Sequence, residues 1–114
     1  MIKKIDLQHL ETKFIDFKNE IFCIFLIFLK KLKMQQLQWI TVGERKTLFQ
    51  TYLMGCFIRV YFDGKNIQSF TIEILDESGV LLDSFNEQRS RIYMEREHLN
   101  SRKMLSIIQS QVMN

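Results

Sequence analysis

The stretch CFIRVYFDGKNIQSFTIEILDESGVLLDSF, residues 56–85, decides the fold. It contains three runs rich in β-branched and aromatic residues, at about 56–63, 67–76 and 80–85. Apolar and polar residues alternate along each run, which is the period of a half-buried strand. Glycine-containing turns, DGKN and ESG, separate the runs, so the sequence predicts three antiparallel strands joined by two hairpins.

The registers set by the two turns place apolar residues on the same face of the sheet. A three-residue loop within DGKN sets Ile58 opposite Ile72 and Cys56 opposite Ile74. A type I turn with a glycine bulge within ESG sets Ile74 opposite Leu82. Because both registers place apolar side chains on one side, we predict a β-meander with one face toward a core.

Two further strand patterns precede this stretch, at about 37–42 and 46–54. The second of them, ERKTLFQTYLM, is also compatible with a short helix. The meander therefore has four to five strands and covers about residues 37–85.

A long helix is predicted before the meander, over about residues 4–33. Its apolar residues recur in steps of three and four, as in a heptad stripe. They are Leu7, Leu10, Phe14, Phe17, Ile21, Ile24 and Phe28. The opposite face is charged in the first half of the helix and apolar in the second half, and three lysines in the last turn suit the helix dipole.

The nine apolar residues Ile21–Leu29 raise the question of a membrane. A membrane-spanning helix needs about 20 largely apolar residues, so we predict no transmembrane segment, although binding in a membrane interface stays open. One small sheet covers one face of such a helix, which leaves an apolar face for another chain. The predicted protein interface consists of Leu10, Phe14, Phe17, Ile21, Ile24 and Phe28.

From Asn86 to about residue 112 the pattern is again helical, with Asn86 or Ser84 as the N-cap. This helix is rich in basic residues, with Tyr93 among them: Arg89, Arg91, Arg96, Arg102 and Lys103. Phosphate contacts and base stacking are one interpretation, which makes nucleic-acid binding the alternative function. Interspersed glutamates favour intrahelical ion pairs instead.

Few residues suggest catalysis or metal binding. His9 and His98 have no partner at metal-ligand spacing, and no nucleotide-binding loop or nucleophile motif occurs. The predicted register places Glu73 opposite Asp83 with Arg59 on the diagonal, either as an acid–base pair or as a solvated charge cluster. We predict no enzyme, no metal and no cofactor.

The length of 114 residues favours one domain, and the 46% apolar and 25% charged fractions indicate a globular chain. Cys23 and Cys56 lie in apolar runs, which predicts two buried free thiols, although a disulfide stays possible in an oxidising compartment. No secretory signal pattern occurs, so a cytoplasmic location is expected. The sequence thus predicts a small, basic, non-enzymatic α+β interaction protein, acting as an inhibitor, adaptor or assembly subunit on itself or another protein.

Overall fold

The structure, a computed structural model, describes residues 4–44, 47–66 and 68–112, with side chains from residue 16 onward. Its elements are α1 (Lys4–Lys33), β1 (Ile40–Thr41), β2 (Leu48–Leu53), β3 (Cys56–Phe62), β4 (Phe70–Leu75), β5 (Leu81–Asn86), α2 (Glu87–Arg96) and α3 (Ser101–Gln111). The predicted α+β architecture is confirmed: an N-terminal helix, an antiparallel sheet and C-terminal helical structure follow one another along the chain.

The five strands form one sheet in the order β1-β2-β3-β4-β5, and each neighbouring pair is antiparallel. The predicted meander is therefore confirmed, and the segment that was also compatible with a helix is strand β2. The first strand is much shorter than predicted. Its pairing with β2 ends at Ile40 and Gln50, and the preceding residue, Trp39, forms an isolated parallel bridge with Val112.

The register of the first hairpin differs from the prediction by two residues. Ile58 pairs with Ile74 rather than with Ile72, because β3 ends at Phe62, which pairs with Phe70 across a longer connection. Asp63 Oδ1 accepts a hydrogen bond of 2.9 Å from the Lys65 amide within that connection. A shift of two residues keeps every side chain on its predicted face, since side chains alternate with a period of two.

The second hairpin carries an irregularity that the sequence did not reveal. Ile74 pairs with Asp83, whereas Leu75 pairs with Leu81, so the register shifts by one residue between them. The predicted pairing of Ile74 with Leu82 is wrong for this reason. Because Asp83 pairs with buried Ile74, it lies on the inner side of the sheet.

The inner face of the sheet and the three helices enclose the core. Phe25 of α1 stacks on Phe85 of β5 with 4.0 Å between ring centroids and 5° between ring planes. Phe28 meets Trp39 edge to face, with centroids 6.0 Å apart. The other buried members include Ile58, Val60, Ile72 and Ile74 from the sheet and Met94, Met104, Ile107 and Ile108 from α2 and α3.

The predicted C-terminal helix over 86–112 is divided into α2 and α3. His98 adopts a left-handed φ of 57°, and the Leu99 amide donates to the Met94 carbonyl at 2.8 Å, which closes α2. Asn100 then caps α3 by accepting from the Lys103 amide. This break allows α3 to bury its own apolar face, while Asn86 caps α2 as predicted.

Candidate interaction surfaces

The N-terminal part of α1 extends beyond the domain. A 30-residue helix is about 45 Å long, and the longest dimension of the molecule is 56 Å. The radius of gyration, 16.1 Å, exceeds the value of about 13 Å typical of a compact chain of this length. Residues 16–20 are all exposed, and burial begins at Ile21 with 4% exposure. We call the part of α1 before Ile21 the projecting segment.

The predicted protein interface is divided between this segment and the core. Phe17 lies on the projecting segment with 43% of its surface exposed. Ile21 and Phe28 are buried in the chain's own core, and Ile24 is partly buried against it. The side chains of Leu10 and Phe14 lie outside the described residues. Of the predicted interface residues whose side chains are described, Phe17 is therefore the one available to a partner. The apolar second half of α1 mainly packs against the domain itself.

Most of the basic residues predicted for nucleic-acid binding contact other groups of the chain. Arg91 forms two hydrogen bonds with Glu87, of 2.8 and 3.0 Å, which lower the pKa of Glu87 and raise that of Arg91. The guanidinium of Arg96 lies 5.6 Å from the centroid of the Tyr93 ring. Lys103 Nζ donates to the His98 carbonyl at 3.0 Å. The cationic groups of Arg91, Arg96 and Lys103 thus each have a partner within the chain.

A cleft of about 560 Å³ separates the β3–β4 connection from α2 and α3. Its lining includes Arg91 and Arg102, but also Glu87 and Glu95. Because both signs of charge alternate there, the cleft does not present the positive surface that binding to a phosphate backbone requires.

Arg89 has a different role, at the outer edge of β5. It forms a bidentate ion pair with Asp83, with distances of 2.8 and 3.1 Å, and its guanidinium lies 4.1 Å above the Phe85 ring. It also donates to the Ser84 carbonyl at 2.7 Å, while the Ser84 amide donates to Asp83 Oδ1 at 2.7 Å. Burial opposes ionisation of Asp83, but the bonds from Arg89 and Ser84 prevail and lower its pKa. We call Asp83 and Arg89 the edge clip.

The charge cluster predicted from the sequence, Glu73, Asp83 and Arg59, is only partly present on the outer face of the sheet. Glu73 lies opposite Ser84 and directly opposite Arg59, whose Nε donates to Gln50 Oε1 at 2.8 Å. The predicted pairing of Glu73 with Asp83 is wrong, because the register shift in β5 moves Asp83 to the inner side. The structure therefore brings one carboxylate, not two, opposite Arg59, and both Glu73 and Arg59 interact with the Tyr61 hydroxyl.

An apolar row crosses the same outer face. Tyr52 pairs with Phe57, Phe57 with Leu75, and Leu75 with Leu81, so that the row spans four strands. Tyr52 and Leu81 are exposed, and Leu75 is buried without belonging to the main core cluster. The Tyr52 hydroxyl donates to Glu77 Oε1 at 2.7 Å, a bond that raises the pKa of the tyrosine.

A groove of about 500 Å³ lies beside this row, where residues 36–38 do not pair with β2. Thr51 lines the groove, is only 3% exposed, and its Oγ1 has no hydrogen-bond partner. Sequence reasoning missed this groove because it predicted a regular strand over 37–42. The end of the β1–β2 pairing at Ile40 and Gln50, beyond which the groove lies, has no local sequence signal.

The two thiols differ in exposure. Cys23 is exposed on α1, so the prediction that it is buried is wrong: its helical position faces away from the sheet. Cys56 is buried at the start of β3, and burial raises its pKa, with Asp76 and Glu77 acting in the same direction. Both thiols are free.

The described residues contain neither a metal-ligand cluster nor a membrane-crossing helix. No three side chains of histidine, cysteine, aspartate or glutamate come together as ligands for a metal ion there. Within the same residues, no helix combines the length and hydropathy needed to cross a bilayer. Comparison with known proteins also gave no relative: no family model, curated protein or solved structure matches the chain.

Proposed function

We propose that the chain is a non-enzymatic protein–protein interaction module that contacts its partner through the projecting segment of α1. The observation that carries this proposal is the exposure of Phe17 on a stretch of helix where no residue from 16 to 20 is buried. A helix gains most of its stability from packing an apolar face, so a long helix continued away from its domain calls for a second surface.

Phe17 also continues the heptad stripe that reaches the core at Ile21. A stripe of this spacing suits an antiparallel or parallel helix–helix contact. A partner helix would therefore extend the packing that the domain begins. Another copy of the chain and a different protein both satisfy this geometry, and we propose a homodimer or a subunit of a larger complex, with inhibitor and adaptor as further roles.

The location that we propose is the reducing cytoplasm. Two free thiols, one of them exposed, fit a compartment that keeps cysteines reduced.

The experiment compares Phe17→Asp with Ile92→Asp. Ile92 is a matched control because it is a similarly exposed apolar residue, 53% exposed, on a different helix, α2. The wild type and both variants are examined by sedimentation velocity over a range of concentrations, and then as tagged proteins in pull-downs from the native host. We expect Phe17→Asp to lose self-association or one specific co-purifying protein, and Ile92→Asp to retain it.

Circular dichroism and thermal unfolding must show that both variants remain folded. The proposal fails when Phe17→Asp behaves like the wild type in both assays, or when both aspartate variants lose the same partner.

A further inference from the structure

We propose that the groove beside β2 binds an extended polypeptide segment, which adds to the sheet as a strand along the free part of the β2 edge. This surface is separate from the projecting segment, so the inference goes beyond the function proposed above. It rests on the hydrogen-bonding direction of β2, on the contrast between the two sheet edges and on the lining of the groove.

Two hydrogen bonds fix the direction in which the peptide groups of β2 point. The Thr47 carbonyl accepts from Phe62, on the β3 side, at 2.9 Å. The Leu48 carbonyl accepts from Val42, on the β1 side, at 3.0 Å. Peptide groups of an antiparallel strand alternate between its two edges, so those of Gln50 and Tyr52 also face the β1 side.

Strand β1 does not extend far enough to reach Tyr52. Ile40 pairs with Gln50 and is the first residue of β1, while Trp39 pairs with Val112. The amide and carbonyl of Tyr52 therefore face the groove and have no opposing strand among the described residues. An unpaired strand edge beside an open groove is a ready site for β-augmentation.

The opposite edge of the sheet is protected. The edge clip occupies both peptide groups of Ser84 on β5, with distances of 2.7 Å to Asp83 and to Arg89. Charged side chains of this kind prevent unwanted strand pairing. Ser84 is level with Gln50, which β1 covers, whereas the groove lies two residues further along β2, at Tyr52. The clipped part of the β5 edge is therefore closed to a partner strand, and the end of the β2 edge is open.

The residues that line the groove indicate which side chains a bound peptide should carry. Leu37, Ile40, Leu53 and Phe57 are apolar, whereas three amides, of Gln36, Gln38 and Gln50, provide donors and acceptors. Lys31 is the charged residue among the lining residues. We therefore specify an extended segment with an apolar side chain toward Ile40 and Phe57 and an acidic group beside Lys31.

The test uses a phage-displayed library of random linear peptides, selected on the wild type. Enriched peptides are synthesised and titrated into Tyr52→Ala and Tyr52→Pro. Both variants lose the aromatic ring, but only proline removes the amide donor, and proline is tolerated on a strand edge that faces away from the sheet. We expect binding to Tyr52→Pro to be about three- to tenfold weaker than to Tyr52→Ala, the effect of one hydrogen bond.

Hydrogen exchange on the wild type gives a second measurement that needs no variant. Saturating peptide should slow exchange of the Tyr52 amide, and Phe17→Asp should bind the peptide with unchanged affinity because it lies on the other surface. Lys31→Glu should change the selected peptides from acidic to basic.

Three outcomes would overturn the inference. One is a selection that enriches no peptide. Another is equal binding to Tyr52→Ala and a folded Tyr52→Pro, or unchanged exchange of the Tyr52 amide in the wild type. The third is concentration-dependent protection of that amide without peptide, which would show that a second copy of the chain occupies the edge.

Discussion

Two phenylalanines on α1 should differ sharply in their effect on folding, because one lies in the core and the other on the projecting segment. Phe25 is completely buried and stacks on Phe85 at 4.0 Å, whereas Phe17 is 43% exposed. Both lie on the same helix, eight residues apart, and both are changed to alanine. The comparison tests the division of α1 on which the proposed function depends.

The magnitudes follow from burial. Phe25→Ala removes a fully packed ring and leaves a cavity, at a cost of about 4 kcal/mol in the free energy of unfolding. Phe17→Ala loses a partly buried ring without a cavity, about 1 kcal/mol, and the higher helix propensity of alanine returns about 0.5 kcal/mol. The net effect of Phe17→Ala on stability is therefore about 0.5 kcal/mol.

Urea unfolding followed by circular dichroism measures both effects. With a slope of about 2 kcal/mol per molar urea, Phe25→Ala lowers the midpoint by about 2 M and Phe17→Ala by about 0.3 M. The measurements are made at a protein concentration where the wild type is monomeric, since self-association would add stability at Phe17. Equal midpoints for the two variants would refute the division of α1 into core and projecting parts.

The edge clip gives a pH-dependent difference. The pKa of Asp83 is below its ordinary value of 3.8, so its ionised form stabilises the fold above that value, and the contribution is lost as the pH falls through the folded-state pKa. Asp83→Asn should therefore unfold at a lower temperature than the wild type at neutral pH, and this gap in melting temperature should close in acid; a gap that persists there would contradict the assignment. Arg89→Ala should open the β5 edge and increase concentration-dependent aggregation in light scattering, an increase that Arg102→Ala should not produce. In the native protein a thiol reagent should modify Cys23 rapidly and Cys56 only on unfolding, and two fast thiols would contradict the burial of Cys56. Fluorescence anisotropy should show no salt-sensitive binding of oligonucleotides, because the described arginines are mostly paired within the chain; a steep salt dependence would restore the nucleic-acid interpretation.

Local pattern was sufficient for most of the elements and for the faces of β3 and β4. Alternation from Cys56 to Phe62 places the odd-numbered side chains on one side whatever the partner, and a register error of two residues left that result unchanged. The N-cap of α2 was also predictable from local sequence, because the Asn86 side chain accepts its hydrogen bond from the Arg89 amide only three residues later.

The candidate surfaces depended on contacts between distant parts of the chain. The shift at Ile74 and Leu75 moved Asp83 away from Glu73 and toward Arg89, and no local pattern marks that shift. The heptad stripe placed Phe17 and Phe28 in one predicted interface, although the domain covers only the second of them.

The sequence by itself determined that this protein has a long helix, a meander and further helix, because periodicity and turn chemistry act over a few residues. Only the tertiary structure decided which half of α1 is buried, which sheet edge is closed and where a groove opens. These properties depend on packing against elements far away in the chain: Phe85 stacks on Phe25, and Val112 forms a bridge with Trp39. Burial depends on which residues are neighbours in space, and the alternation of residues along the chain does not specify those neighbours.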